Sequence, residues 1–379
     1  MQEKIIHVVG SGEPGGGTTA VLTLSQLLRD AGHAVSIASQ HGSYLLDAAR
    51  QAGIAAHGLD FASRGAAMNA WSDLVRLLQR QQPSVMHAHG GRAGLPTALA
   101  FRLRRQRAGF VYTVHGFHFP AKSPLPRRLG RLAEKFCIAS ADWTNFVSQG
   151  DLRIAEQAQL LPHLNRCSVI PNAVLSHDLP TNLPHQHDSA SDIVFLGRLT
   201  AQKNPLILPD IVAALRPGKP SVQVVGGGEL EAALKAKVHA LGLNEQFTFH
   251  GQQNRASALA IAARCRLLLL PSLWEGHPIT VIEAMHLRLP VVASRISGTA
   301  EIVSDGITGF LVAPEDVAAY ADAIRQLLSD PALAQRLGAT GQSQARRLFS
   351  AESMLAANLQ VYRQLRGQAR LPMLARESR

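Results

Sequence analysis

Short apolar runs alternate with helix-patterned stretches along almost the whole chain, and this alternation narrows the possible folds more than any other feature. KIIHVV is followed by TTAVLTLSQLLRDAG, AVSIAS and a helix near 43–52; VMHAH, a helix near 93–107, FVYTVHG, a helix near 127–139 and WTNFVS continue the series. Strands that are apolar throughout, with helices between them, belong to parallel sheets covered on both faces. SVIPNAV ends this half, and residues 174–192, polar and rich in Pro and His, read as a linker. A second alternation then runs through DIVFLGRL, SVQVVGGGELEAALKAKV, QFTFHG, RLLLLPS and LPVVAS. At 379 residues the chain is too long for one small core. The expected fold is α/β, with two doubly wound, Rossmann-like domains (1–173 and 193–350) facing a cleft. From about residue 315 the pattern predicts three helices, the last of which, in 351–379, can return to the first domain.

Composition excludes several classes. With 46% apolar and 17% charged residues the chain is globular rather than disordered. The N-terminal apolar run is too short for a signal-peptide core and no later run reaches membrane-span length, so the expected location is the cytoplasm. Cys137, Cys167 and Cys265 are odd in number and widely spaced, which predicts buried free thiols rather than disulfides or a zinc ribbon. Charge is uneven: residues 64–135 hold thirteen Lys or Arg against two acids, Asp73 and Glu134. Any one of these cations can simply line a solvated helix face. As a group they point to an anionic partner: a lipid headgroup surface, a phosphorylated acceptor or nucleic acid.

Ligands of such sheets sit beyond the carboxyl ends of the strands. After the first strand comes GSGEPGGGTT, in which Gly10, Gly12 and Gly15 fit G-x-G-x-x-G. A dinucleotide site needs an acid after the second strand, but Gln40, His41 and Gly42 stand there; a P-loop needs a Lys, and none is present. What remains is a helix opening at GGG and Thr18, whose free amides and dipole can receive an anion. In the second half, GRLTAQKNP places Arg198 and Lys203 on one loop as a clamp for a diphosphate. PSLWEGHPITVIEAM carries Glu275 and Glu283. Pro278 suits a helix start, leaving Glu275 in the preceding loop and Glu283 more than a turn inside. There a carboxylate can accept two ribose hydroxyls, and the loop carboxylate can reach a sugar. Taken singly, Glu275 reads better as a solvated loop acid and Glu283 as a dipole-favoured helix acid.

The ordered series GRLTAQKN, PSLWEGHPITVIEAM, PVVAS and SGTAEIVSDGITGFLV resembles the donor domain of retaining glycosyltransferases of family 4, which have the two-domain GT-B fold. The Gly-rich loop, VMHAHGGRAG and YTVHGFHF extend the resemblance over almost the whole chain, toward members that build exopolysaccharide and capsule. The resemblance implies that Glu283 binds the nucleotide ribose, Glu275 touches the transferred sugar, and Arg198 and Lys203 neutralise the diphosphate. It further implies that Gly16 and Gly17 approach that diphosphate, that His115 sits by the donor sugar, and that Gly298 and Glu301 in the SGTAEIV loop help surround the donor. Three positions depart from the family pattern: Arg288 replaces a glycine before PVV, His286 a small residue, and Ala173 the last glycine of PNG.

Departure of a nucleoside diphosphate places negative charge on the phosphate, which fixed cations and amides can stabilise. No D-x-D occurs in the chain, so Arg198 and Lys203 stand in for a metal and no cofactor is expected. His87, His89, His115 and His118 invite a zinc reading. Against it, no Cys or acid joins them, and strand side chains alternate between faces. The sequence therefore predicts a metal-independent glycosyltransferase of the hexosyltransferase type, working as a peripheral protein at the inner membrane. Its expected donor is a nucleotide-sugar, a UDP-sugar in the leading reading. Its acceptor is a glycan, carried on polyprenyl diphosphate or similar, and the basic segment meets the membrane. A lipopolysaccharide or soluble acceptor, and a nucleotide-sugar epimerase on the same scaffold, stand behind it. A nucleic-acid binder would leave Glu275, Glu283 and the glycines idle, and aromatics are sparse, so no nucleic acid is expected.

Overall fold

The computed structural model describes residues 2–61, 66–102, 108–117, 119, 123–162, 166–175, 178–180 and 191–369. The chain forms two compact units, residues 1–172 with 351–379, and residues 173–350. The first unit is built on β1 (Lys4–Val9), β2 (Ala34–Gln40), β3 (Ala55–Leu59), β4 (Val85–His89), β5 (Gly109–Val114), β6 (Trp143–Phe146) and β7 (Cys167–Val169). These strands are parallel in the order β3-β2-β1-β4-β5-β6-β7. Between them run α1 (Gly16–Asp30), α2 (Tyr44–Gln51), α3 (Ala66–Gln81), α4 (Gly91–Arg102), α5 (Pro124–Ser140) and α6 (Gln149–Gln157). The central strands are apolar because both faces are covered: Ile5, Ile6, Val8, Val85, Met86, Ala88, Phe110 and Val111 are all buried.

The second unit has a six-stranded parallel sheet of β8 (Ser191–Leu196), β9 (Val222–Val225), β10 (Phe247–Gly251), β11 (Cys265–Leu270), β12 (Val291–Ser294) and β13 (Gly309–Val312), in the order β10-β9-β8-β11-β12-β13. Its helices are α7 (Leu208–Ala214), α8 (Glu231–Ala240), α9 (Arg255–Ala262), α10 (Ile279–His286), α11 (Ser297–Ala300), α12 (Val317–Ser329) and α13 (Pro331–Leu348). Side-chain caps set several starts: Asn254 accepts from the Ser257 amide, Asp316 from that of Ala319, and Asp330 from that of Leu333 just before Pro331.

The last helix, α14 (Ala351–Ala369), packs on α1 and β5 of the first unit. Met354, Val361, Tyr362 and Leu365 are buried in it, and full burial of such side chains contributes about 1.5–3 kcal/mol each. Gly109 at the start of β5 makes room: a Cβ there would lie 2.9 Å from Leu365 Cδ1.

Several local expectations differ from the structure. β3, α3 and α6 were not separated from their surroundings by pattern alone. Within the stretch read as a linker, the described residues belong to the second unit: Val174 bridges Ser350, Asp178 pairs with Arg255, and β8 already starts at Ser191. Residues 176, 177 and 181–190 of that stretch lie outside the described residues. All three cysteines are free, Cys137 and Cys265 buried and Cys167 half-buried. Among the described residues no helix is long and apolar enough to cross a membrane.

Candidate active site

Two loops of the second unit meet at the carboxyl ends of adjacent strands. The loop after β8 carries Arg198 and Lys203 through two short 3-10 turns, Ala201–Lys203 and Pro205–Ile207, hinged on Asn204 with φ +50°. The loop after β11 carries Glu275. They are stitched together: the Leu273 amide donates to the Gln202 carbonyl at 2.8 Å, and Gln202 Nε2 donates to the Trp274 carbonyl at 3.0 Å. The result is an ion pair that spacing alone did not disclose, Lys203 Nζ to Glu275 Oε1 at 2.5 Å, with side chains 12% and 7% exposed. Ser272 Oγ donates to the same carboxylate oxygen at 2.7 Å. Arg198 is exposed and makes no ion pair among the described residues.

Glycines after β9 bring further backbone to this loop. Gly226 has φ +136°, and a Cβ there would stand 2.0 Å from the Gly197 carbonyl; at Gly228 it would stand 2.5 Å from that of Leu199. Two of the three glycines in VVGGGEL, Gly226 and Gly228, are thus required by close packing against the backbone of the Arg198 loop. Gly298 acts likewise, since a Cβ would lie 2.5 Å from the carbonyls of both Glu275 and Gly276. That residue fixes the loop that presents Glu275. Glu301 follows α11 as its C-cap residue and is half-buried.

Glu283 lies inside α10, as expected from Pro278, which is the N-cap residue. It is buried, and its Oε1 accepts from Arg255 Nε at 2.8 Å. Arg255 also pairs with Asp178. Burial pushes the Glu283 carboxyl above the ordinary range, and Arg255 pulls it back. Burial disfavours the Arg255 charge, but Glu283 and Asp178 outweigh it and raise its pKa. Neither Arg255 nor Asp178 was foreseen. The family departures are accommodated close by. Arg288 takes the glycine conformation itself, with φ +60°, and its Nε bonds Gln342 Oε1 at 3.0 Å. Gln342 Nε2 donates to the His286 carbonyl at 2.7 Å, and Ala173 is buried. Gly338 allows the approach, because a Cβ would come within 2.0 Å of the Arg288 carbonyl.

In the first unit the Gly-rich turn divides its labour. A Cβ on Gly10 would meet Arg92 at 2.7 Å, and on Gly12, with φ +67°, Ser43 Oγ at 2.4 Å. Gly16 and Gly17 are exposed in the first turn of α1, with nothing within 4 Å of a Cβ and no acid in that turn. Thr18 Oγ1 holds the turn by donating to the Glu13 and Gly15 carbonyls. Open amides at the start of a 15-residue helix can receive an anion.

His115, immediately after β5, belongs to a buried string of imidazoles. His7 Nδ1 lies 2.9 Å from His89 Nε2, and His89 Nδ1 lies 3.0 Å from His115 Nε2. His87 contacts the Tyr362 hydroxyl through Nδ1 at 2.8 Å and Thr113 Oγ1 through Nε2 at 2.6 Å. The alternation of side chains does not separate His87 from His89, because residues two apart share a face. Strand register adds His7, which pairs with His87 across β1 and β4. His118 lies outside the described residues. Burial lowers all four pKa values, that of His7 to about 3 and that of His115 to about 4, so the rings are neutral near pH 7. One nitrogen from each of His7, His87 and His89 lies within 4.8 Å of the others, near enough to share a cation. Both nitrogens of His87 are already engaged, by the Tyr362 and Thr113 hydroxyls, and no carboxylate or thiolate joins the three rings among the described residues.

The basic segment is only partly a surface. Arg92 donates to the Phe61 carbonyl, Arg102 lies 5.1 Å over the Phe136 ring, and Arg76 pairs with Asp73. Arg64, Arg104, Arg105, Arg107 and Lys122 lie outside the described residues. α5 stands apart: Leu125, Leu129 and Leu132 are 67%, 60% and 62% exposed. At helical spacing they form one stripe, flanked by Arg128, Arg131 and Lys135.

Comparisons with known proteins bear on the family and the fold. The profile of Glycosyltransferase Family 4 matches residues 14–175, and that of Glycosyl transferases group 1 matches residues 184–344. The chain is 28% identical over 285 residues to the Escherichia coli UDP-Gal:alpha-D-GlcNAc-diphosphoundecaprenol alpha-1,3-galactosyltransferase, covering 70% of this chain and 72% of that protein. It is 28% identical to a Mycobacterium tuberculosis glycogen synthase, covering 74% and 69% respectively. In fold it is similar to Anabaena HepE, solved with UDP and glucose, with a TM-score of 0.84 at 21% identity, covering 96% of this chain and 100% of that one. The two profiles lie in tandem over both doubly wound sheets, and the chain belongs to the glycosyltransferases of family 4, with the GT-B architecture.

Proposed function

We propose that this protein moves a sugar, with retention of configuration, from a UDP-sugar to a lipid-diphosphate-linked glycan in exopolysaccharide or capsule-type synthesis, and that it does so without a metal. The observation that carries the reading is the buried Lys203–Glu275 ion pair that joins the loops after β8 and β11, the latter leading directly into α10 with its buried Glu283. Glu283 accepts ribose hydroxyls. Arg198 binds the diphosphate from its exposed position, and Lys203 directs its remaining N–H donors to the departing phosphate while Glu275 fixes the ammonium in place. The open amides at Gly16 and Gly17 supply anion-receiving groups on the first unit. The name of the Escherichia coli relative, which specifies a UDP-sugar and a diphosphoundecaprenol acceptor, supports this choice of substrates.

A thermal-shift panel of UDP-, GDP- and ADP-sugars tests the donor, since a ligand that binds only the folded state raises its stability. A UDP-sugar should give the largest rise in Tm, and transfer from it should proceed at an unchanged rate in excess EDTA. No response to any of the three, or a rate restored only by Mg²⁺ or Mn²⁺, would remove the proposal.

The acceptor side has its own test on α5. Leucines at a membrane interface contribute apolar burial, and each nearby cation adds about 1 kcal/mol on an anionic surface. Changing Leu125, Leu129 and Leu132 together to Ser should weaken partitioning onto phosphatidylglycerol vesicles by at least about tenfold. Unchanged partitioning in sedimentation would remove α5 from the membrane contact.

A further inference from the structure

Arg255, the first residue of α9, holds two carboxylates and leaves one nitrogen bare. Its Nε donates to Glu283 Oε1 at 2.8 Å and its Nη1 pairs with Asp178, while Nη2 is buried with no hydrogen-bond partner among the described residues. Glu283 accepts no second hydrogen bond among those residues, so Oε2 receives none. All three residues belong to the second unit.

An arginine and a buried carboxylate left to themselves pair differently. Nε–H and one Nη2–H point side by side out of the guanidinium, and together they grip both oxygens of one carboxylate as a fork. Closing that fork here would give Nη2 the acceptor it lacks, and a buried donor without one is costly. Only the Nε half is made. The group that breaks the symmetry is Asp178, which draws Nη1 to itself. Its own chain is anchored: the Asp178 amide donates to the Leu175 carbonyl at 3.1 Å, and Val174 bridges Ser350.

We infer that Asp178 is a positioning residue for the ribose carboxylate: by holding the Arg255 guanidinium to one side, it keeps Glu283 Oε2 open to the hydroxyls of the nucleotide. The inference rests on the reading of Glu283 as the ribose contact, and gives the upkeep of that contact to a residue that touches no ligand. Each carboxylate oxygen has room for two hydrogen bonds. With the fork closed, Arg255 takes one place on each oxygen; with the fork held open, Oε2 keeps both. Charge alone predicts the opposite sign. Asp178 is a like charge that favours the neutral form of Glu283, so its removal would leave nucleotide binding unchanged or stronger.

Titration calorimetry of the full-length protein with UDP and with 2′,3′-dideoxy-UDP provides the test. The wild type should prefer UDP. Asp178→Ala should weaken UDP binding about tenfold, the order of one hydrogen bond to a charged group, and leave the dideoxy nucleotide unaffected. Asp178→Asn removes the charge but keeps an acceptor for Nη1, and should bind UDP nearly as the wild type does. Arg255→Lys in the Asp178→Ala background replaces the fork with a single-point cation and should restore most of the lost affinity. Thermal unfolding checks that the variants fold.

UDP affinity in Asp178→Ala at or above the wild-type value overturns the inference. So does an equal loss for both nucleotides, or a loss that Arg255→Lys does not relieve, since either assigns the effect to general distortion of the fold. A wild type that binds the two nucleotides equally refutes the ribose reading itself. A wild type that prefers UDP, beside an Asp178→Ala variant of unchanged affinity, refutes only the role of Asp178, so the two failures are separable.

Discussion

Glu283→Ala should abolish measurable binding of the nucleoside diphosphate while the protein still folds. The carboxylate is proposed to accept two ribose hydroxyls, and hydrogen bonds to a charged group contribute about 1.5–3 kcal/mol each. Losing both weakens binding on the order of 10²–10⁴-fold. The same substitution leaves Arg255 buried with Asp178 as its remaining partner. Removing one member of a buried pair costs about 3–5 kcal/mol when no other partner remains, so a loss at or below the lower end is expected here. Glu283→Gln separates the two effects: its amide oxygen can still accept from Arg255 Nε, which retains most of the stability, whereas donor binding should stay impaired. Arg255→Ala should also weaken binding, because burial and then the Asp178 charge act unopposed on Glu283 and drive it toward its neutral form. Titration calorimetry with UDP and thermal unfolding of the three variants check this. A wild-type dissociation constant in Glu283→Ala would remove the ribose role.

Architecture was legible because both sheets are central and parallel: runs such as KIIHVV and RLLLLPS are apolar on both faces and cannot be mistaken for half-exposed strands. β3 escaped because it sits at a sheet edge and reads AAHGL, with no β-branched residue. The loop acids and cations were legible as residue types following strands, where α/β sites form. Their partners were not. Arg255 meets Glu283 and Asp178 only because α9, α10 and the chain before β8 converge, and nothing in RASALAIA marks its first residue as special. His7 was hidden for a related reason. A single histidine within an apolar strand carries no signal until sheet order places β1 beside β4 and register sets it against His87. Sequence spacing describes one strand at a time, while the imidazole string runs across three. Arg288 shows the converse limit: the missing glycine marked a departure, but only the structure shows that the backbone keeps φ +60° and tolerates it.

Lys203→Ala should chiefly lose turnover, with kcat reduced on the order of 10²–10³-fold, the usual effect of removing one fixed donor to a developing anion. Binding should suffer less, since Arg198 remains exposed on the same loop. What Lys203 leaves behind matters as much as what it takes away. Glu275 is 7% exposed and would keep only Ser272, placing an unneutralised carboxylate beside the approaching diphosphate. Part of the defect in the single variant is therefore repulsion, and removing Glu275 as well should relieve it. In Lys203→Ala/Glu275→Ala donor affinity should recover relative to Lys203→Ala, while kcat stays low because the Lys203 ammonium no longer meets the leaving group. The two substitutions share one contact, so their effects should depart from additivity by about 0.5–3 kcal/mol. Lys203→Arg keeps the charge but replaces three rotatable donors with a planar fork, and should retain binding better than turnover. Initial rates over a donor concentration series, fitted for kcat and KM separately in these three variants and in Glu275→Ala, provide the measurement. Additive effects of the two alanine substitutions, or unimpaired turnover in Lys203→Ala, would mean that the pair stabilises the loops without taking part in departure of the diphosphate.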